Sequence, residues 1–154
     1  MLTLETAAQV APRLVIALGN PSRGDDALGP LIAERLAALA LPGVEVLVDY
    51  QLQIEYALDL RGRSEVVFVD AAVAGDGPFT LARVVAAGDR SVTTHALSPQ
   101  ALLEGYRRLT GSTPPPAYVL AVRGRAFDLG AEPSCEARAN LEQAFGALLA
   151  HLRG

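Results

Sequence analysis

The sequence predicts an α/β fold in which a mixed, mostly parallel sheet of about five strands is flanked by helices. Two observations predict it. Short apolar runs rich in β-branched residues alternate with longer segments whose apolar residues recur at helical spacing. The chain is also 154 residues long with 51% apolar and 19% charged residues, enough to bury one sizeable core. We read residues 1–12 as an N-terminal extension and 13–154 as a single α/β domain.

Leu14-Val15-Ile16-Ala17-Leu18 reads as a first strand buried on both faces. A turn-rich loop from Gly19 to Asp26 follows. Leu28, Leu31, Ile32, Leu36 and Leu39 then fall on one face of a helix that Pro42-Gly43 terminates. Val44 to Val48 forms a second strand, Ile54 to Leu60 a short helical segment, and Val66-Val67-Phe68-Val69 a third strand ending at Asp70. These three strands should be parallel. The glycine-rich link from the third strand to Thr80–Val85 is too short for a helical crossover, so Thr80–Val85 is predicted to be an antiparallel edge.

Ser98 followed by Pro99 is a helix cap with proline at the first helical position, and Leu102, Leu103, Tyr106 and Leu109 give that helix a buried face. Pro114-Pro115-Pro116 cannot be helical. Tyr118 to Val122 is the last strand. Leu141, Ala144, Phe145, Leu148 and Leu152 mark a C-terminal amphipathic helix with Ser134 or a neighbour as its cap.

Composition narrows the chemistry. The 13 basic residues are all arginine, against 17 acidic ones, giving a net charge of −4. No basic stripe advertises a phosphate backbone, so nucleic acid is not an expected partner. Without lysine, Schiff-base chemistry and a P-loop are excluded, and the Gly19 to Gly29 run matches no dinucleotide fingerprint. The single Cys135 cannot form an internal disulfide or a multi-cysteine metal site, which fits a reducing compartment. No signal peptide or membrane-spanning stretch is evident, and a soluble, cytoplasmic protein is expected.

In an open α/β sheet, ligands bind outside the carboxyl ends of the strands. Asp25 and Asp26 follow the first strand, Asp70 ends the third, and His95 stands in the polar loop leading to Ser98. One imidazole and two carboxylates meeting there would suit a borderline divalent ion such as nickel or zinc and would acidify a nearby water. Each residue also has a structural reading. Asp25 or Asp26 can cap a helix, Asp70 can bind loop amides, His95 can be a hydrogen-bonded loop residue, and His151 can complement a helix dipole. Ser98 is committed to its cap, which argues against a serine hydrolase.

The segment Leu14 to Leu36, centred on Gly19-Asn20-Pro21-Ser22-Arg23-Gly24-Asp25-Asp26-Ala27-Leu28-Gly29-Pro30, resembles the hallmark of the nickel-iron hydrogenase maturation endopeptidases. The likeness continues through Val69-Asp70-Ala71 and Thr94-His95-Ala96-Leu97-Ser98-Pro99, and covers most of the chain from Arg13 onward. It implies a three-layer sandwich of helices around a twisted sheet. Its implied ligands are Asp26, Asp70 and His95, with Asp26, Asp70 or the neighbouring Asp25 as the catalytic acid or base. The implied activity is removal of a C-terminal extension from the precursor of a hydrogenase large subunit after nickel insertion. The nickel then belongs to the client and serves as the recognition element rather than as a tightly held cofactor.

Where many members have a glycine-rich turn, this chain has Asp49-Tyr50-Gln51-Leu52-Gln53-Ile54-Glu55, which resembles the branch serving soluble, NAD-reducing or similar cytoplasmic hydrogenases. An apolar groove near Gln51, Gln53 and Pro114 to Pro116 is expected to seat a client segment. The same ligands would also serve a non-catalytic nickel-sensing chaperone of the large subunit, or a peptidase with another client.

Overall fold

The computed structural model describes residues 10–88 and 97–154. Along the chain come β1 (Arg13–Leu18), a single 3₁₀ turn (Gly24–Ala27), α1 (Leu28–Leu39), β2 (Val44–Asp49) and a 3₁₀ helix (Ile54–Leu60). They are followed by β3 (Glu65–Ala72), β4 (Phe79–Val84), α2 (Pro99–Thr110), β5 (Ala117–Arg123) and α3 (Cys135–Arg153). The strands form one sheet in the order β2-β1-β3-β5-β4. β1 pairs in parallel with β2 and β3, and β3 in parallel with β5, while β4 runs antiparallel to β5. The mixed sheet and its antiparallel edge agree with the sequence reading.

Strand periodicity divides the core in two. Val15, Ala17, Val67, Val69, Leu120 and Val122 face α1 and α3, whereas Leu14, Ile16, Leu18, Val66, Phe68 and Ala117 face α2 and the 3₁₀ helix. β1, flanked by strands and covered on both faces, is the continuous apolar run that its position requires. Helix boundaries follow local chemistry. Ser98 Oγ accepts the Ala101 N–H at 3.0 Å, and Pro99 occupies the first helical position of α2. Ser134 Oγ accepts the Ala137 N–H at 3.2 Å at the start of α3.

Four expectations are corrected. β3 does not end at Asp70 but continues to Ala72, because Asp70, Ala71 and Ala72 still pair with Ala121, Val122 and Arg123 of β5. Leu109 is 64% exposed and Leu39 46% exposed, since each lies in the final turn of its helix. Neither Asp25 nor Asp26 caps α1, whose N-cap position is Ala27 without a side-chain bond. Finally, Gln51 follows the carboxyl end of β2, whereas Pro114 to Pro116 precede the amino end of β5. The two strands run in the same direction through the sheet, so these segments lie at opposite ends of it and do not share a groove.

Candidate active site

Strand order locates the site before any side chain is considered. From β1 the chain passes to β2 on one side, then returns to place β3 on the other, and such a reversal opens a crevice at the carboxyl ends of the two central strands. The loop after β1 carries Asp25 and Asp26; the carboxyl-terminal part of β3 carries Asp70.

The loop after β1 is shaped by close approaches. Gly19 has φ +142°, and a Cβ there would run into the Asp26 carbonyl; Gly24, at φ +53°, leaves no room for a Cβ against the Ala126 carbonyl. Asn20 closes a local turn by accepting the Ser22 N–H at 2.8 Å on its Oδ1, and its own N–H donates to Asp26 Oδ2 at 2.8 Å. Asp26 is half-buried, with one carboxylate oxygen held by that amide.

The adjacent Asp25 has a different fate. It is 0% exposed. Its Oδ2 accepts the N–H groups of Arg125 (2.6 Å) and Ala126 (2.9 Å) and the hydroxyl of Ser134 (2.8 Å), and its Oδ1 accepts the Ser134 N–H (2.6 Å). Burial raises its pKa, but the amides of Ala126, Ser134 and Arg125 and the Ser134 hydroxyl outweigh it and hold the carboxyl below its ordinary range. Further backbone bonds join the two loops: Asp25 N–H to Ala126 O, Gly24 N–H to Ala131 O and Gly130 N–H to Ser22 O. Sequence reasoning placed the cap at Ser134 or a neighbour but missed the bonds of Ser134 to Asp25, because nothing local to Ser134 announces a partner 109 residues away.

Asp70 accepts the Ala71 N–H on Oδ1 at 2.8 Å. Its pKa is raised to about 6: burial pushes it up, the Ala71 amide draws it down, and the nearby Asp26 charge pushes it up again. The Asp26 and Asp70 carboxylates thus stand close enough to repel at one rim. His95 lies outside the described residues. Two carboxylates alone supply only oxygen, a donor set better matched to hard ions than to nickel.

Asp70 also borders a cleft of about 350 Å³ on the α2 side of the sheet, whose lining includes Phe68, Thr80, Ala82, Gln100 and Ala121. At the opposite end of the sheet Glu65 accepts from Arg13 at 2.8 Å and pairs with His151 at 2.7 Å, and the His151 ring packs edge-on against Tyr118. His151 is thereby tied into the structure far from the crevice. Cys135 is exposed at the first position of α3.

No family description and no curated protein matches the chain. Solved structures do. The nickel-iron hydrogenase maturation protease HycI from Thermococcus kodakarensis is 25% identical, with 97% of each chain covered and a TM-score of 0.71. The hydrogenase maturating endopeptidase HybD from Escherichia coli is 25% identical over 92% of this chain and 91% of its own, with a TM-score of 0.69. The maturation protease HybD from T. kodakarensis shares the fold at 21% identity, over 90% of this chain and 97% of its own, with a TM-score of 0.66. The resemblance read from three short sequence segments therefore extends to the whole architecture: this chain is built on the fold of the nickel-iron hydrogenase maturation proteases.

Proposed function

We infer that the protein is an endopeptidase that removes the C-terminal extension of a nickel-iron hydrogenase large-subunit precursor once nickel has been inserted. The observation that supports this reading is that Asp70 feels the charge of Asp26 at the sheet's topological switch point, within the fold of proteins named hydrogenase maturation protease and maturating endopeptidase. Asp26, Asp70 and His95 are the groups assigned to contact the client's nickel, the imidazole supplying the nitrogen that two carboxylates lack. A site with so few donors holds free metal weakly but can complete the coordination of an ion that the client already holds. Nickel then acts as a specificity element, and docking on it orients the scissile peptide.

Among the acidic residues, Asp70 is best suited to be the base. With a pKa near 6 before the client's nickel docks, it is ionised at neutral pH; with one oxygen toward the ion, the other can take a proton from water attacking the scissile carbonyl and return it to the departing amine. Asp25 already accepts four hydrogen bonds, and its depressed pKa makes it a poor base.

The test is a processing assay with nickel-loaded and nickel-free precursor. Substoichiometric enzyme should shorten only the loaded form. Equal cutting of both would overturn the recognition role of nickel, and a stoichiometric complex without shortening would favour a chaperone. Asp26→Asn and Asp70→Asn should each reduce processing by at least about a thousandfold while the protein stays folded.

A further inference from the structure

The two edges of the sheet differ in chemistry. β2 carries Glu45 and Asp49, and the buried Arg63 guanidinium reaches Glu45 at 2.7 Å. Charges along an edge discourage the addition of another strand. β4, Phe-Thr-Leu-Ala-Arg-Val, has Arg83 as its one charged residue and keeps an unbroken one-to-one register with β5 over all 6 residues.

That register determines which backbone groups are already used. The Arg123 N–H donates to the Pro78 carbonyl at 2.9 Å, so the pairs two residues further along, Thr80 with Ala121 and Ala82 with Val119, are the ones that exchange ladder bonds. Phe79, Leu81 and Arg83 therefore turn their N–H and C=O groups away from β5, and among the described residues none bonds to them. Outward donors and acceptors at every second residue form a template for an extended peptide. The alternate residues Thr80 and Ala82 line the cleft that holds Asp70, so the open edge is continuous with the candidate active site.

We propose that β4 is the docking edge for the client, adding an extended segment of the client polypeptide as a sixth strand beside Phe79–Val84; this rests on the endopeptidase reading above. Strands lie about 4.8 Å apart, so the added strand would be about 14 Å from β3, a gap that four or five extended residues cover at roughly 3.3 Å each. The docked segment is thus separated from the scissile bond by about that many residues. At the Val84 end of the edge, Arg83 and Arg107 line a cavity of about 270 Å³ with Leu103 and Pro114. Arg107 is already paired with Glu104 at 2.7 Å and the Arg83 guanidinium lies over the Tyr118 ring on the α3 face, so the cavity presents the apolar walls of Val84, Leu103 and Pro114, which fit an apolar side chain on the docked segment.

The experiment compares wild type, Arg83→Ala and Arg83→Pro on a nickel-loaded large-subunit precursor. Both variants lose the guanidinium, but only proline removes the outward N–H, which β5 does not use. Arg83→Pro should therefore show a KM about threefold to tenfold above that of Arg83→Ala. In wild type, added precursor should slow amide exchange at Phe79, Leu81 and Arg83, while Thr80 and Ala82 are slow from the outset; this measurement decides the matter if the proline variant fails to fold. Cleavage by wild type with equal KM for both variants and unchanged exchange at the three amides overturns the docking edge and leaves the endopeptidase reading intact. Protection without shortening of the precursor overturns the endopeptidase reading and upholds the edge, and neither cleavage nor protection overturns both. Protection that rises with protein concentration in the absence of precursor, together with a dimer in sedimentation, assigns the edge to a second copy of the chain and overturns the proposal.

Discussion

Asp25 and Asp26 are covalent neighbours with opposite roles, and the difference lies in what their oxygens meet. Asp25 is buried against four donors, so Asp25→Ala strands three amides and a hydroxyl. It should lower stability by about 3 kcal/mol in urea denaturation. Asp70 makes the converse prediction. Its folded pKa, about 6, lies above the ordinary 3.8, so folding favours the protonated form. That contribution, on the order of 2–3 kcal/mol, is complete below pH 4 and is lost as pH rises through 6. Asp70→Asn should therefore melt at a higher temperature than wild type at pH 8 and close to it at pH 4, even as processing disappears. The sequence shows that acidic residues follow β1 and stand in β3, but not which of them is free. The donors that occupy Asp25 come from residues 125–134, and their approach is a property of the fold.

Elements were more legible than residues because their signals are local. Alternating apolar runs, the Ser98-Pro99 and Ser134 caps and the short link before β4 each specify structure within a few neighbours, and each has its counterpart among the elements described. Periodicity overreached at Leu39 and Leu109, which keep helical spacing but occupy the exposed last turns of α1 and α2. The second bond of Ser134 gives the two caps different weight. Ser98→Ala should cost about 1 kcal/mol, the ordinary value for a lost cap. Ser134→Ala removes a cap and a donor to buried Asp25 together, and should cost about 2 kcal/mol or more in the same denaturation assay. Equal losses at the two serines would show that the Asp25 bond adds nothing.

Over the whole molecule, Asp25 and Asp70 impose opposite slopes on stability. The depressed pKa of Asp25 means that its contribution is present above its ordinary value of 3.8 and is lost as pH falls through its folded pKa. The raised pKa of Asp70 means that its contribution is present below 3.8 and is lost as pH rises from there through about 6. Thermal unfolding followed against pH should accordingly peak near pH 4, whereas processing should rise with ionisation of Asp70 and be greatest above 6. A common optimum for the two would count against Asp70 as the base. The topology that brings these groups together could be inferred from the order of strand and helix signals. Their mutual repulsion could not, because it depends on a distance between β1 and β3 that neither segment encodes alone.

The clasp of Asp25 by Arg125, Ala126 and Ser134 also sets an order of events at the ribosome. The acidic loop is synthesised first, and the amides that hold it in place follow 100 to 109 residues later. In a nascent chain the loop that carries Asp25 and Asp26 therefore stays without these partners until residues 125–134 have been made.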